Sequence, residues 1–285
     1  MSSGKNLRIA LVQMQVGSDK KVNLKHAEDL IRATVAKNKP DLVCLPEFFN
    51  APYETHLFAT YAETIPDGET CKFLSTLAKE LKVQLVGGSI PEKDGKNLYN
   101  TCTFWSAKGE LLSKHRKVHL FDVDIPNIVT YKESAALSYG KHLSYADVTS
   151  GVKAGFGICF DIQFPEMWIK YREIGCNLMI IPSAFPLKYG DLWWELYLRA
   201  RAVDTQSFVT MISPARDVNG NYVAHGYTMM IDPFGKVIAS AKEGEEVVVI
   251  DLDFSLVEKA RKEVKLFEMR RPDLFELTVK SGQTF

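Results

Sequence analysis

Two kinds of hydrophobic pattern alternate along the chain. Short apolar runs typical of buried strands are separated by segments whose apolar residues recur every three or four positions, the period of an amphipathic helix. The first pair is the apolar run 7–14 and the segment 23–37, in which Leu24, Ala27 and Ile31 share one helix face. Similar runs predict strands at 41–49, 83–90, 154–160, 177–185, 208–215 and 246–254. Similar amphipathic segments predict helices at 70–82, 164–175, 191–206 and 255–264.

Two hairpins interrupt this alternation. Segments 99–106 and 110–120 flank an Ala-Lys-Gly turn, and 226–240 folds back around Asp-Pro-Phe-Gly. Buried strands with amphipathic helices outside them are typical of a layered α/β domain. Because no linker, repeat or composition break divides the chain, we expect a single domain over 1–285. Its core is predicted at about 7–255, with a C-terminal arm at about 265–285 that packs elsewhere.

Composition and charge narrow the class of protein. The 285 residues are 46% hydrophobic and 25% charged, which is ordinary for a soluble globular protein. Lys+Arg and Asp+Glu both number 35, so the net charge is zero. Binding to nucleic acid or to an anionic membrane would require an excess of basic residues, so we expect neither as a partner. The N-terminal segment resembles a strand and not a signal peptide. We therefore expect a cytoplasmic protein, with a mitochondrial location as the alternative.

The cysteines favour neither a disulfide framework nor a zinc site. Their number is five and no Cys-x-x-Cys pair occurs. Free thiols fit a reducing compartment. Individual cysteines therefore have to be considered one at a time.

Cys159 has two interpretations. Free cysteine is among the most buried residue types, so Cys159 could simply fill the core. It also ends a predicted strand and precedes a turn into a predicted helix, a junction that exposes a side chain and leaves backbone N–H groups without partners. A helix N-terminus favours a thiolate there. Gly155 and Gly157 allow close packing of the preceding strand.

A nucleophilic thiol needs help from its neighbours. With a pKa of about 8.5, it is mostly protonated at neutral pH and requires a base or a nearby positive charge. None of the six histidines has a local signature that links it to Cys159. A Cys–His dyad is therefore poorly supported, which leaves carboxylate and lysine partners.

Three charged residues are candidates for that help. Glu47 follows an apolar strand and Pro46, where burial would raise its pKa and suit it to proton transfer. Lys117 belongs to a basic run in which alternate side chains should point inward, where one could stabilise an oxyanion. Glu133 could be a second acid. Glu47 could instead be a solvated loop glutamate, and the run around Lys117 could be a solvated basic edge strand. The spacing of these residues alone does not show that they form one site.

Four motifs in order indicate a known family. They are LPEFF with Glu47, HRKVHLFD with Lys117, ES with Glu133 and GICFD with Cys159. The chain resembles the nitrilase superfamily of carbon–nitrogen hydrolases over almost its whole length. It is most similar to the omega-amidase (Nit-type) branch. That closer resemblance rests on segments 50–53, 86–92, 98–101, 114–126, 199–204 and 213–217.

The resemblance implies a fold and a set of roles. The fold would be a four-layer α-β-β-α sandwich, paired through helices into a homodimer or a higher homo-oligomer. Cys159 would attack the amide carbon, and Glu47 would move the protons. Lys117 and the backbone N–H of Phe160 would hold the oxyanion, and Glu133 would orient Lys117 or the substrate. No metal or organic cofactor would be needed.

The family substrate would be the terminal amide of a short dicarboxylate, such as 2-oxoglutaramate or 2-oxosuccinamate. Tyr53 is the first candidate to bind its free carboxylate, and Phe185 is a further substrate contact. Arg216 is a weaker candidate, with pairing to Asp217 as its alternative role. A related amidase for deaminated glutathione or a carbamoyl amine, a nitrilase, and an inactive metabolite-binding scaffold are the competing functions.

The chain departs from the family pattern at three places. Gln163 stands where arginine is usual in the Asp-x-Arg-Phe-Pro-Glu motif. In segment 186–194, Pro186 replaces asparagine and Trp193 replaces histidine, which puts the choice of substrate in doubt. Tyr139 replaces proline in a turn.

The two adjacent tryptophans of that segment are expected to have different roles. Adjacent helix positions point about 100° apart, so Trp193 and Trp194 cannot both face one site. We expect one to lie in the core or an interface and the other to close the pocket.

Overall fold

Fourteen strands supply the sheets in the part of the chain that the structure describes. The computed structural model describes residues 6–125, 129–149 and 151–280. Within these ranges the strands are β1 (Asn6–Gln13), β2 (Leu42–Cys44), β3 (Gln84–Asp94), β4 (Asn97–Trp105), β5 (Leu111–Arg116), β6 (Asp122–Ile125), β7 (Val129–Lys132), β8 (Ser144–Thr149), β9 (Val152–Phe156), β10 (Leu178–Pro182), β11 (Phe208–Ile212), β12 (Met229–Ile231), β13 (Val237–Ser240) and β14 (Glu246–Asp253).

Six α-helices lie between or after these strands in the described ranges. They are α1 (Lys20–Asn38), α2 (Phe58–Tyr61), α3 (Glu69–Leu81), α4 (Pro165–Glu173), α5 (Leu187–Thr205) and α6 (Ser255–Glu263). Two short 3₁₀ helices, Glu133–Ala135 and Cys159–Gln163, follow β7 and β9. The side chain of Asp19 caps α1 by accepting hydrogen bonds from the N–H groups of Lys21 and Val22.

The large sheets have the same size and a similar plan. The first has the strand order β14-β1-β2-β3-β4-β5, and the second has the order β13-β12-β11-β10-β9-β8. In each sheet three neighbouring strands run parallel, β1-β2-β3 and β9-β10-β11, and antiparallel strands extend both sides. Strands β6 and β7 form a separate hairpin.

The residues of β1 show how the layers stack. Ile9 and Leu11 pack in the cluster that contains residues of both sheets, whereas Ala10 and Val12 pack with α1 and α3. This alternation is the two-residue period of a strand buried on both faces. Helices α4 and α5 contribute to the same cluster as Ile9 and Leu11, through Trp168, Tyr171, Trp194 and Leu198. The result is the four-layer α-β-β-α sandwich that the family resemblance implied.

Glycines bring α4 close to strand β9. A Cβ added at Gly155 would lie 2.8 Å from the Tyr171 ring, and one at Gly157 would lie 2.5 Å from the Trp168 ring. Since real Cβ atoms do not approach that closely, larger residues at either position would push the helix away. The close packing expected from these two glycines is confirmed.

Several element boundaries differ from the sequence predictions. The strand predicted over 154–160 ends at Phe156, and Cys159 begins a 3₁₀ helix instead. Helix α5 begins at Leu187, four residues before the predicted start. The periodicity analysis missed β8 and the β6–β7 hairpin, because their sequences mix polar and apolar residues without a clear period.

The described part of the C-terminal arm lies against α4. Arg270 forms an ion pair with Glu173 at 3.0 Å, and the Phe267 ring lies between the guanidinium groups of Arg172 and Arg270, 4.4 and 4.3 Å away. Beyond these contacts the arm exposes much of its apolar surface. Among the described helices, none has the length and apolar character needed to cross a membrane.

Candidate active site

The candidate site lies where the ends of strands from both sheets meet. Glu47 follows β2 and Lys117 follows β5 in the first sheet, whereas Cys159 follows β9 in the second. Glu133 opens the 3₁₀ helix after β7. The side chains of Glu47, Lys117 and Glu133 are fully buried, and Cys159 is only 2% exposed. The sandwich therefore assembles four residues that lie far apart in sequence.

Two residues at the site have left-handed backbone conformations. Phe48, directly after Glu47, has φ +49°, and Cys159 has φ +48°. Non-glycine residues rarely adopt this conformation, and such strained positions cluster at functional sites. At Cys159 the sharp turn from strand to 3₁₀ helix resembles the elbow that presents a nucleophile. The first N–H groups of a helix have no carbonyl partner within that helix, and Phe160 belongs to this first turn.

Glu47 is held by three donors. Its Oε1 accepts hydrogen bonds from Asn100 Nδ2 at 2.7 Å and from Lys117 Nζ at 3.1 Å. Its Oε2 accepts from the backbone N–H of Ala184 at 2.7 Å. The same Ala184 N–H also interacts with the Cys159 sulfur. Glu47 and Cys159 thus share the Ala184 N–H as a neighbour, and their side chains interact directly. A base close to the thiol is what proton transfer requires.

Lys117 lies between the two acids. Its Nζ is 3.1 Å from Glu47 Oε1 and 3.0 Å from Glu133 Oε2. Glu133 also accepts from the Tyr53 hydroxyl at 3.2 Å and from the backbone N–H of Phe121 at 2.7 Å. Each charge in the cluster therefore has a partner, which is what a buried ion pair requires.

Burial and mutual charge decide the protonation of the cluster. Burial raises the pKa of Glu47, although Lys117 opposes the effect. Burial and the neighbouring Glu47 carboxylate raise the pKa of the Cys159 thiol well above its ordinary value. Burial alone would lower the pKa of Lys117, but Glu133 and Glu47 raise it above its usual value. The resting site therefore contains a protonated thiol, a charged ammonium and a carboxylate with increased proton affinity.

A second polar network supports the turn after Cys159. Asp161 Oδ2 accepts from the Ile158 N–H at 2.9 Å, and Asp161 Oδ1 accepts from the His119 N–H at 2.8 Å. The rings of His119 and His115 lie 2.8 and 3.3 Å from its carboxylate oxygens. Burial would raise the pKa of Asp161, but hydrogen bonds from the two histidines hold it well below its ordinary value. Sequence reasoning missed this network, although both histidines belong to the basic run around Lys117.

A cavity of about 190 Å³ opens on Cys159. It is lined by Phe121, Val123, Cys159, Phe160, Gln163, Phe185, Pro186, Tyr189 and Trp193. Trp193 stacks on Tyr189 with ring centroids 4.5 Å apart. Trp194, in contrast, is 1% exposed and its Nε1 donates to the Tyr227 carbonyl at 2.8 Å. The structure thus separates the two tryptophans as their helical spacing predicted.

A second cavity, of about 260 Å³, opens on Glu47. Tyr53 and Tyr222 line it with rings stacked 4.4 Å apart. The hydroxyl of Tyr222 donates to the Ala184 carbonyl. Asp217 and Glu54 also line it, so this cavity is more polar and more acidic than the one at Cys159. Tyr222 was not predicted, because a tyrosine in the loop before β12 has no distinguishing local pattern.

The predicted substrate contacts have different surroundings. Phe185 lines the Cys159 cavity and Tyr53 lines the Glu47 cavity. The guanidinium of Arg216 donates to the His225 carbonyl at 2.8 Å and lies 5.7 Å from the Tyr227 ring. Since neither cavity is lined by Arg216 within the described ranges, its binding role remains a prediction without geometric support. Its bond to a backbone carbonyl also differs from the expected pairing with Asp217.

The residues described do not suggest a metal centre. Over 6–125, 129–149 and 151–280, no three His, Cys, Asp or Glu side chains are arranged to hold a metal ion. A buried cysteine next to a carboxylate and an ammonium has the kind of neighbours that nucleophilic catalysis by a thiol requires. The layered fold and this cluster together indicate the class of hydrolases.

Comparison with known proteins identifies the family. The sequence model of the carbon-nitrogen hydrolase family matches residues 8–262, and the chain belongs to this family. Omega-amidase NIT2 of Bos taurus is 45% identical over 275 residues, covering 96% of this chain and 99% of that protein. The chloroplastic omega-amidase of Arabidopsis thaliana is 42% identical, covering 94% and 73%. The crystal structure of Saccharomyces cerevisiae Nit3, from branch 10 of the nitrilase superfamily, superposes with a TM-score of 0.85 at 40% identity, covering 94% and 97%.

Proposed function

We propose that this protein is an omega-amidase that hydrolyses the terminal amide of short dicarboxylate monoamides through a thioester on Cys159. The observation that supports the proposal most is the buried cluster of Glu47, Lys117 and Glu133 around the thiol. The omega-amidases that are 42–45% identical over nearly the whole chain support the substrate class.

The first half of the reaction forms the acyl-enzyme. The Cys159 sulfur attacks the amide carbon while Glu47 accepts the thiol proton, which its raised pKa favours. Lys117 Nζ and the Phe160 N–H donate to the oxyanion of the tetrahedral intermediate. When the intermediate collapses, the C–N bond breaks and Glu47 passes its proton to the leaving nitrogen, which departs as ammonia.

The second half releases the acid. Glu47, again a carboxylate, accepts a proton from water as the water oxygen attacks the thioester carbon. The C–S bond then breaks, the sulfur recovers the proton from Glu47, and the carboxylic acid leaves. Glu133 acts only by holding Lys117, because its oxygens accept from that ammonium, from Tyr53 and from the Phe121 N–H. No metal or organic cofactor takes part in these steps.

The proposal includes a homodimer paired through α5. One face of this helix exposes Leu192 by 62%, Leu196 by 61% and Val203 by 46%, and Phe234 lies beside it at 44%. Apolar side chains that share one helix face and remain exposed favour burial against a second copy. The absence of net charge presents little repulsion to that association.

The proposal also places the enzyme in the cytoplasm. Its five cysteines are all free and buried, which suits a reducing compartment.

Ammonia release from 2-oxoglutaramate by the purified protein tests the activity. We expect steady release by the wild type and none above background from Cys159→Ala. The Cys71→Ala variant, which removes a buried thiol of α3 that belongs to a different core cluster from Cys159, serves as the matched control. Turnover that survives Cys159→Ala would rule the mechanism out, and a wild type inert toward every amide would favour the inactive scaffold.

A further inference from the structure

The backbone of Ala184 contacts both residues that exchange a proton in the proposed mechanism. Its N–H donates to Glu47 Oε2 at 2.7 Å and also interacts with the Cys159 sulfur. Ala184 follows β10 and is 1% exposed. A small displacement of this backbone would therefore change the surroundings of the base and of the thiol together.

The Tyr222 hydroxyl binds the other polar backbone group of Ala184. It donates to the Ala184 carbonyl, and no other group in the described ranges donates to that oxygen. Burial raises the pKa of Tyr222 well above its ordinary value, so the hydroxyl keeps its proton. Without this donor the buried carbonyl would be unsatisfied, and a shift of the backbone toward another partner would become favourable.

The ring of Tyr222 is held by the charged cluster through a second tyrosine. It stacks on Tyr53 with ring centroids 4.4 Å apart and an interplanar angle of 25°. The Tyr53 hydroxyl donates to Glu133 Oε1 at 3.2 Å and lies 3.4 Å from Lys117 Nζ. Tyr53 is thus fixed by the cluster, and its ring limits the directions in which the Tyr222 hydroxyl can point.

The backbone next to Tyr222 is also anchored to the segment that follows Ala184. Two backbone hydrogen bonds, of 3.1 and 2.8 Å, and one antiparallel bridge pair segment 223–225 with segment 185–187. This pairing holds the loop from which the Tyr222 side chain extends to the Ala184 carbonyl. Ring and backbone together therefore keep the hydroxyl in place.

We propose, on the basis of the amidase function above, that Tyr222 is a positioning residue of the reaction, whose hydroxyl holds Ala184 so that the Ala184 N–H stays on Glu47 and Cys159. Tyr222 acts through Ala184 and transfers no proton itself. A donor beside a carboxylate or a thiolate favours the charged form. Holding Ala184 in place therefore eases loss of the thiol proton and keeps Glu47 in the state that accepts it.

Tyr222→Phe tests the proposal, because it removes the hydroxyl and keeps the stacked ring. With 2-oxoglutaramate we expect kcat to fall by about three- to tenfold, as for the loss of one hydrogen bond, with KM within about twofold of wild type. Tyr227→Phe is the matched control, because it removes a hydroxyl of the same loop that donates to Glu243 at 2.7 Å. Tyr227 lines neither cavity in the described ranges, and its variant should keep both constants.

The pH profile of kcat distinguishes positioning from a general loss of structure. The other titratable groups that face Glu47 are Lys117, Glu133, Cys159, Tyr53 and Tyr131. Tyr222→Phe leaves all of them in place. A weaker donor at Glu47 raises its pKa, so the acidic limb of the profile should move upward by about half a pH unit. A variant that only folds less well would lose active enzyme without moving the limb.

Three results for Tyr222→Phe would overturn the proposal. A raised KM with an unchanged kcat would show that the hydroxyl binds the substrate. A lowered kcat with an unmoved acidic limb would show a purely structural role. Constants equal to those of the wild type would show that Ala184 keeps its position without the hydroxyl.

Alkylation of Cys159 separates this proposal from the proposed function. The rate of its reaction with iodoacetamide at pH 7, read by mass spectrometry of the Cys159 peptide, depends on the thiolate and needs no amide substrate. We expect Tyr222→Phe to lower this rate by about three- to tenfold and Tyr227→Phe to leave it unchanged. If no amide is hydrolysed but alkylation slows as expected, the amidase function fails and the positioning role stands. If amides are hydrolysed and Tyr222→Phe matches the wild type in both kcat and alkylation, only the positioning role fails.

Discussion

In the proposed mechanism Glu47 has the most demanding role of the site residues. There it holds a proton from sulfur, gives it to nitrogen, and then repeats the cycle with water. Its contacts with Asn100, Ala184 and Lys117 fix it for all of these transfers. An amide in its place would keep the shape and most of the hydrogen bonds but could not accept a proton.

We therefore expect Glu47→Gln to lower kcat by about 10²–10⁴-fold with little loss of stability, because both half-reactions lose their proton carrier. Steady-state ammonia release measures the rate, and thermal unfolding checks that the fold survives. Glu28→Gln, at a partly buried ion pair with Arg32 within α1, is the matched control and should keep full activity. A Glu47→Gln variant within tenfold of wild type would assign the proton transfers to another group.

Asp161 gives a second prediction at this scale, one about stability and pH. Because its folded pKa lies below the unfolded value of about 3.9, the carboxylate stabilises the fold fully above that pH and loses this contribution as the pH falls further. Asp161→Asn should cost about 3 kcal/mol of unfolding free energy at pH 7, and the difference from wild type should shrink below about pH 4. Urea unfolding at pH 7, 5 and 3.5 measures the difference. A gap that stays constant over this range would show that the charge of Asp161 is not the source of the stability.

At the scale of elements, helix α5 packs in the core through one face and lines the Cys159 cavity with another. Trp194 packs in the core against Phe185 and His225, with ring centroids 5.4 and 5.6 Å away. Trp193, one position earlier, forms part of the wall over Cys159. A single turn of helix therefore couples the sandwich to the substrate cavity.

Because Trp193 and Trp194 have different surroundings, the same substitution should have different effects at the two positions. Trp194→Ala should destabilise the protein by about 3–5 kcal/mol, because it empties a core site. Trp193→Ala should cost about 1 kcal/mol or less and act mainly by raising KM, because it opens the cavity. Chemical denaturation and kinetics on the two variants measure both effects. Equal losses of stability would contradict the assignment of Trp193 to the cavity wall.

The elements also show what the sequence could and could not predict. Helices α1, α3, α4 and α6 were predicted within a few residues, because one apolar face with a regular period specifies a helix packed on a sheet. Strand β8 was missed because its residues are half-exposed and mixed in polarity, so pairing with β9 and not its own pattern determines it. The end of β9 was placed too late because the apolar run continues through the turn to Phe160.

The same contrast holds for the site. Glu47, Lys117, Glu133 and Cys159 were selected through their motifs, and the family resemblance was needed to combine them. Asn100 and Tyr222 were not selected, because their contacts with Glu47 and Ala184 form only when distant segments meet. Long-range geometry of this kind leaves no local pattern in the sequence.

At the scale of the whole molecule, the exposed apolar face of α5 predicts a dimer that a single substitution can test. Leu196→Glu places a charge at the centre of the exposed α5 face and should convert a dimer into a monomer of 32.1 kDa. Sedimentation equilibrium distinguishes the two masses. Leu274→Glu, at a position on the arm that is 62% exposed against 61% for Leu196, is the matched control and should leave the mass unchanged. A wild type that sediments as a monomer would remove the dimer from the proposal.

The division of the candidate site between the two sheets limits how such a protein could arise or be shortened. Glu47 and Lys117 belong to the sheet that the first half of the chain and β14 form, and Cys159 belongs to the other. Neither sheet alone carries both the thiol and the carboxylate that the proposed mechanism pairs with it. Under that mechanism, a shortened catalyst would therefore have to keep strands from both sheets.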